Sequence, residues 1–284
     1  MNKKKNLLAT LASFGLAIMV SLFLIAACGA GKNELDAKDR IGGINNMMDQ
    51  NDRFDYEKLW QKVEEFQNQG LPKSALEVVE KIYKTAKENK NAAEIIKSLI
   101  HKLRFIQEVE EDSFLKIYHQ LTGELDQSQF PITPILHSML AEQTWNYYQS
   151  NRYMFLNRTN IPDSDMKQDD IRTWDLRKLV QAIVDHYQKS LTDAENAKKT
   201  KIDIYDKILI QQMDSRKYRP TLYDFLAHRA IDFFMDSESG LTQPVYRFSL
   251  NKEEYFSDAQ QFAKLEITTR DPMAFHYYAL TALQ

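Results

Sequence analysis

A single cysteine, Cys28, in a chain of 284 residues excludes a disulfide framework and any zinc site built from cysteines. Glycine and proline are scarce too, at 8 and 7 residues, less than half of the ~12% the two make up in average usage. Sheets joined by tight turns draw heavily on both residues, so their shortage points to an all-α fold. Histidine is dispersed. None of His101, His119, His137, His186, His228 and His276 falls in the His-Glu-x-x-His spacing that sets two imidazoles and a base around zinc, and each reads as a surface or interhelical hydrogen-bonding residue. A Gly-rich phosphate loop and a Gly-x-Ser-x-Gly turn are also missing. With no nucleophile, metal set or acid-base pair standing out, no enzyme is expected, and no catalytic, cofactor-binding or metal-binding residue.

An excess of positive charge is lacking as well. Lys and Arg number 37 against 40 Asp and Glu, a net charge of −3. Without Lys3, Lys4 and Lys5, the only charges before Cys28, the net falls to about −6. Nucleic acid is therefore not an expected partner.

What is present begins at the N-terminus. Three lysines precede an almost unbroken apolar run, Leu7 to Ala27, which ends in Ile25-Ala26-Ala27-Cys28. A positive start, an apolar centre and small residues at the cut form an export signal. The run also meets the ~20 residues of a membrane-spanning helix. Its ending resembles the bacterial lipobox, which implies cleavage between Ala27 and Cys28 and lipidation of Cys28 by diacylglyceryl and an N-linked acyl chain such as palmitate. At ~0.8 kcal/mol per buried CH₂, two or three such chains hold a protein on a bilayer. The expected address is a membrane of the bacterial cell envelope, the outer membrane on its periplasmic or surface face.

Residues 1–27 thus read as signal peptide and 28–53 as lipidated cysteine and tether, rich in Gly, Asn and Asp and without a sustained apolar period. As flexible coil the tether spans ~25–30 Å. From 54 to 284 the apolar residues recur at helical spacing. Tyr56, Leu59, Trp60, Val63 and Phe66 share one face. Gly70 stops that helix and Pro72 starts the next, which carries Ala75, Leu76, Val79, Ile82, Tyr83 and Ala86. The short link predicts an antiparallel hairpin. Further stripes run through Ile96, Leu99, Ile100 and Leu103, then Phe114, Ile117, Tyr118, Leu121 and Leu125. With helix centres about 18 residues apart, the pitch is close to the ~34-residue tetratricopeptide period, although Val63 stands where that consensus expects a small residue. The predicted architecture is an all-α, tetratricopeptide-like solenoid of helix hairpins, in one array or in two sub-arrays over about 54–156 and 170–284.

Residues 132–156 read as one aromatic-rich helix, 157–170 as a loop, Leu176 to Leu191 as the most regular stripe, 202–211 as a weak segment and Pro220 to Asp236 as a strong helix. Val245, Tyr246, Phe248 and Leu250 hold either a short strand or an extended connector. Asn251 and Glu254 fit a capping box for a helix through Tyr255, Phe256, Ala259 and Phe262. Asp271-Pro272 opens a final helix with no stop signal before Gln284, an ending expected of a chain that continues.

Three groups invite a ligand reading. Asp163, Asp165, Asp169 and Asp170 cluster as calcium ligands do, but the calcium-loop pattern fails at Lys167 and Gln168; the cluster is better explained as an acidic loop capping the next helix. Trp145, Tyr147, Tyr148, Tyr153 and Phe155 resemble a sugar-binding platform in composition, yet their helical spacing places them in the core. Asn157-Arg158-Thr159 fits a glycosylation sequon and is expected to stay unmodified in a bacterial lipoprotein.

Longer strings are more specific. Gly70-Leu71-Pro72-Lys73-Ser74-Ala75-Leu76, Trp145-Asn146-Tyr147-Tyr148, Phe155-Leu156-Asn157-Arg158-Thr159, Thr173-Trp174-Asp175-Leu176-Arg177 and above all Arg219-Pro220-Thr221-Leu222-Tyr223-Asp224-Phe225-Leu226-Ala227-His228-Arg229-Ala230 are similar to the helical N-terminal region of large bacterial alpha-2-macroglobulin-like lipoproteins. The resemblance implies a helical base ahead of β-sandwich macroglobulin domains in a protein that traps or inhibits endopeptidases. It also implies partners: the membrane, the downstream domains of the parent chain and, through them, proteases. The thioester cysteine and bait segment of that family are not in this sequence, so inhibitory chemistry is not expected within it. The competing reading is a stand-alone helical-repeat lipoprotein that binds a peptide or a glycan.

Overall fold

The computed structural model describes residues 55–111, 113–157, 167, 170–210, 214–236, 248–271 and 274–284. Ala27, Cys28, the signal run and the tether lie outside these residues, as do Asp163, Asp165 and Asp169 and most of the candidate strand at 241–250. The described chain is all-α: helices, 3-10 turns and a single isolated antiparallel bridge between Lys201 and Thr221. Among the described residues no helix is long and apolar enough to cross a membrane.

The first helices follow their sequence signals closely. Asp55 caps α1 (Tyr56–Asn68), its carboxylate accepting from the Glu57 and Lys58 amides. Gly70 adopts φ 68°, the left-handed turn that a residue without Cβ enters freely, and the Leu71 amide donates back to the Phe66 carbonyl at 2.9 Å. Pro72 then opens α2 (Pro72–Glu88), where its missing N–H is no loss. Asn91 caps α3 (Ala92–Val109), and α4 (Ser113–Leu125) follows after a short link.

Neighbouring helices alternate in direction. The α2 terminus reaches back to the start of α1, where Asn89 donates to the Tyr56 hydroxyl at 3.3 Å. Trp60 of α1 donates to Glu94 of α3 at 2.7 Å, so α1 and α3 run side by side. Lys87 at the end of α2 pairs with Glu124 at the end of α4 at 3.1 Å. Phe114 of α4 stacks on Tyr147 of α5 (Ile132–Ser150), ring centroids 4.0 Å apart.

The 132–156 stretch is two helices rather than one. It breaks at Asn151, whose side-chain amide and backbone N–H both donate to the Tyr147 carbonyl. That local competition for backbone acceptors ends α5, and a short α6 (Arg152–Leu156) restarts after it. Asp175 then caps α7 (Leu176–Ser190), its carboxylate accepting from the Lys178 amide at 2.9 Å. Short α8 (Ala194–Lys199), a 3-10 turn at Ile202–Tyr205 and short α9 (Ser215–Tyr218) lead to α10 (Leu222–Phe234).

The helix proposed through residues 251–262 also divides. A 3-10 turn, Glu253–Phe256, ends at Ser257, and Asp258 starts α11 (Ala259–Phe262) by accepting from the Gln260 and Gln261 amides at 3.0 Å. Asp258 is thus the cap, and the Glu254 side chain pairs with Lys252 instead of closing a box with Asn251. The final helix, α12 (Phe275–Leu283), begins later than Asp271, whose carboxylate accepts from the Phe248 amide at 2.8 Å.

Two apolar clusters meet at α3. Val63, Phe66, Ala75, Val78, Val79, Ile82 and Phe105 make the smaller. The larger begins with Ile96, Leu99, Leu103 and Ile106 on another side of α3 and continues through α4, α5, α7 and α10 to Ala279. Phe66, Phe105, Leu136, Leu140 and Phe234 are among its and its neighbour's fully buried side chains, each contributing about 1.5–3 kcal/mol by leaving water.

The start of α10 is defined by a reciprocal cap. Thr221 Oγ1 accepts from the Asp224 amide at 3.2 Å, and the Thr221 amide donates to the Asp224 carboxylate at 2.9 Å. Thr221→Ala is expected to lower the unfolding free energy by about 1–2 kcal/mol in urea titrations, with Thr221→Ser retaining most of the stability. Equal stability of the alanine variant contradicts the cap's contribution.

Candidate binding groove

Three long helices and one irregular segment leave a groove of about 630 Å³. From α3 come Ile96, Ile100, Leu103 and Gln107, spaced four, three and four apart so that one helical stripe faces the space. Ile135, Ser138, Met139, Glu142 and Gln143 line it from α5, and Leu222, Phe225, Leu226 and Arg229 from α10. The segment 202–210 closes one side with Ile202, Tyr205, Ile208, Leu209 and Ile210. That segment is held to the start of α10 by two backbone bonds, Ile202 N–H to Pro220 O at 3.1 Å and Leu222 N–H to Thr200 O at 2.8 Å. The volume falls within the ~300–1,000 Å³ typical of ligand sites.

Polar groups in the groove are organised in pairs. The Arg229 guanidinium donates through Nε to Ser138 Oγ at 2.8 Å and through Nη2 to Glu142 at 2.6 Å, and it covers the Phe225 ring at 5.6 Å. Burial works against its charge, but Glu142, with Tyr187 and Asp232, outweighs burial and raises its pKa above the usual value. Arg104 pairs with Glu108 one turn along α3 at 3.0 Å. His101 lines the same space, its ring 4.7 Å from Trp60. Burial, helped by Lys97 and Arg104, lowers the His101 pKa to about 4 and keeps the ring neutral at neutral pH. Its Nδ1 has no hydrogen-bond partner among the described residues.

A second histidine group lies on another side of α5. His137 and His186 of α7 meet Nδ1 to Nδ1 at 2.9 Å, one ring donating to the other. Burial, with Lys189 nearby, lowers the pKa of each to about 4.

The residues singled out in the sequence fall in varied places. Cys28 and Ala27 are outside the described residues, as is most of the acidic loop. Asp170, its described member, accepts from the Arg172 backbone and guanidinium, which lowers its pKa, and caps a 3-10 turn at Ile171–Thr173. Among the described residues no group of three or more His, Cys, Asp or Glu is placed to hold a metal ion. Trp145, Tyr148 and Phe155 are buried, while Tyr153 is exposed, so the aromatic group forms no continuous platform. Arg229 finds its acid in Glu142, a partner 87 residues away that no local pattern names. No local pattern marks the groove, because Ile96, Ile100, Leu103, Leu222 and Leu226 have the spacing of ordinary core positions.

No protein-family model, curated protein or solved structure matches this chain.

Proposed function

We propose that this chain is the helical N-terminal scaffold of an alpha-2-macroglobulin-like endopeptidase inhibitor, anchored to a bacterial envelope membrane through Cys28. The observation that carries the reading is the Arg219 to Ala230 string, the most specific of the resembling segments. It holds the capping box that starts α10 and brings Leu222, Leu226 and Arg229 onto α5, so the string has a definite structural job in a helical base. In this reading residues 54–284 form a tetratricopeptide-like array, supported by the alternating directions of α1 to α4. The inhibitory chemistry, and the contact with proteases, belong to macroglobulin domains further along the parent chain.

Two measurements test it. Metabolic labelling with palmitate is expected to mark the wild-type protein and not Cys28→Ser, which keeps its apolar leader and migrates as the larger precursor; label on Cys28→Ser overturns the lipid anchor. The reading frame is expected to continue past Gln284 into strand-rich sequence, and a stop codon directly after Gln284 overturns the scaffold reading.

The groove favours a second reading, a stand-alone helical-repeat lipoprotein that holds a peptide or a glycan. A 630 Å³ space with an apolar floor and paired polar groups is the usual form of a ligand site.

A further inference from the structure

We infer that the groove between α3, α5 and α10 is a peptide site, taking an extended, uncharged segment with apolar side chains from another polypeptide. The inference rests on the second reading above and chooses between its two ligand classes.

Three observations favour a peptide. The floor, with Ile96 and Met139, is aliphatic, and the face of Phe225 is covered by the Arg229 guanidinium at 5.6 Å. The other rings that line the groove are engaged or enclosed, His101 against Trp60 at 4.7 Å and Tyr205 only 3% exposed, which leaves little open aromatic surface for a sugar ring, and sugar hydroxyls laid on the aliphatic floor itself lose water there. Charge is balanced: Arg229 with Glu142 and Arg104 with Glu108, so neither an anion nor a cation finds a complementary field. The remaining polar capacity has the form a peptide backbone requires. Gln107 and Gln143 line the groove, and each carries an amide that both donates and accepts, as a peptide group does. Arg229 uses Nε and Nη2 on Ser138 and Glu142, which leaves its Nη1 donors for a carbonyl oxygen. Ile210, at the groove's edge and 81% exposed, gives an incoming apolar side chain a surface to cover.

The test uses the full chain reconstituted in lipid nanodiscs and a capped, fluorescein-labelled peptide of alternating leucine and serine, read by fluorescence anisotropy. Saturable binding is expected, with no binding of the same peptide carrying glutamate in place of leucine. Met139→Arg puts an unpaired cation on the floor and is expected to weaken binding at least about tenfold, the cost of burying a charge without a partner. Gln143→Ala, at a half-buried position outside the core, is expected to weaken it about two- to tenfold, the loss of one hydrogen bond. Circular dichroism checks that both variants keep their helix content. Wild-type affinity in both variants overturns the site. Binding of maltoheptaose but not of the peptide overturns the peptide inference and leaves the second reading standing, whereas binding of neither overturns both.

Discussion

Replacing Arg229 with methionine is expected to lower the melting temperature by about 6–12 °C. The side chains of Arg229 and Glu142 are each only 17% exposed, so removing the cation leaves a carboxylate with little water and no counter-charge at 2.6 Å. Ser138, itself buried, loses its donor at the same time. Breaking a buried pair from one side costs about 3–5 kcal/mol, and the lower end applies to a pair with some solvent access. In a chain of this size each kcal/mol moves the midpoint by about 2–4 °C. Because the penalty comes from the stranded partner and not from the loss of attraction alone, Arg229→Met combined with Glu142→Leu is expected to recover most of it. Differential scanning calorimetry of the wild type, both single variants and the double variant closes the cycle. Additive losses in the double variant contradict the pairing.

Stability is expected to fall steeply between pH 6.5 and pH 4. Burial holds His101, His137 and His186 at pKa values of about 4, against about 6.5 in the unfolded chain. Between those values the unfolded state binds protons that the folded state refuses, so unfolding becomes more favourable as pH drops. The contribution is fully present above pH 6.5 and is lost as pH falls towards 4. A pKa lowered from 6.5 to about 4 corresponds to about 3 kcal/mol for one fully buried group. With the solvent access of His137 discounted and the touching pair titrating as a unit, the three together are expected to account for about 4–6 kcal/mol. Geometry gives the same direction, since charging both rings sets two N–H donors face to face at the 2.9 Å now spanned by one hydrogen bond, with Lys189 close by. Urea midpoints measured from pH 7.5 to 4 are expected to decline along this curve. The double variant His137→Gln with His186→Gln is expected to flatten it by roughly half, and an unchanged slope in that variant contradicts the assignment.

The helical reading was legible where amphipathic stripes are long. In α1, Val63 and Phe66 are buried, and Tyr56, Leu59 and Trp60 pack partly buried against the same small cluster. Gly70 and Pro72 marked the turn correctly because both act through their own backbone dihedrals and need no distant partner. The reading lost detail where a short polar side chain competes for the backbone. Asn151 split one expected helix, and Asp258 took over the capping assigned to Asn251. Asp271 turned its carboxylate to the Phe248 amide, 23 residues away, in place of opening a helix. Each of these outcomes depends on which acceptor or donor lies nearest, and residue type alone does not decide that.

The sequence by itself determined that the described chain is built of helices, through scarce glycine and proline and apolar residues at three- and four-residue spacing. These are local properties, set within a turn or two of backbone. Tertiary structure decided which faces meet. Arg229 reaches Glu142 across 87 positions and His137 reaches His186 across 49, and the apolar stripes of α3, α5 and α10 share one core cluster while some of the same residues border the groove. A stripe records that a helix has a face to bury. Whether that face meets a neighbour or borders a space depends on how the helices dock, which the spacing of residues along one of them does not contain.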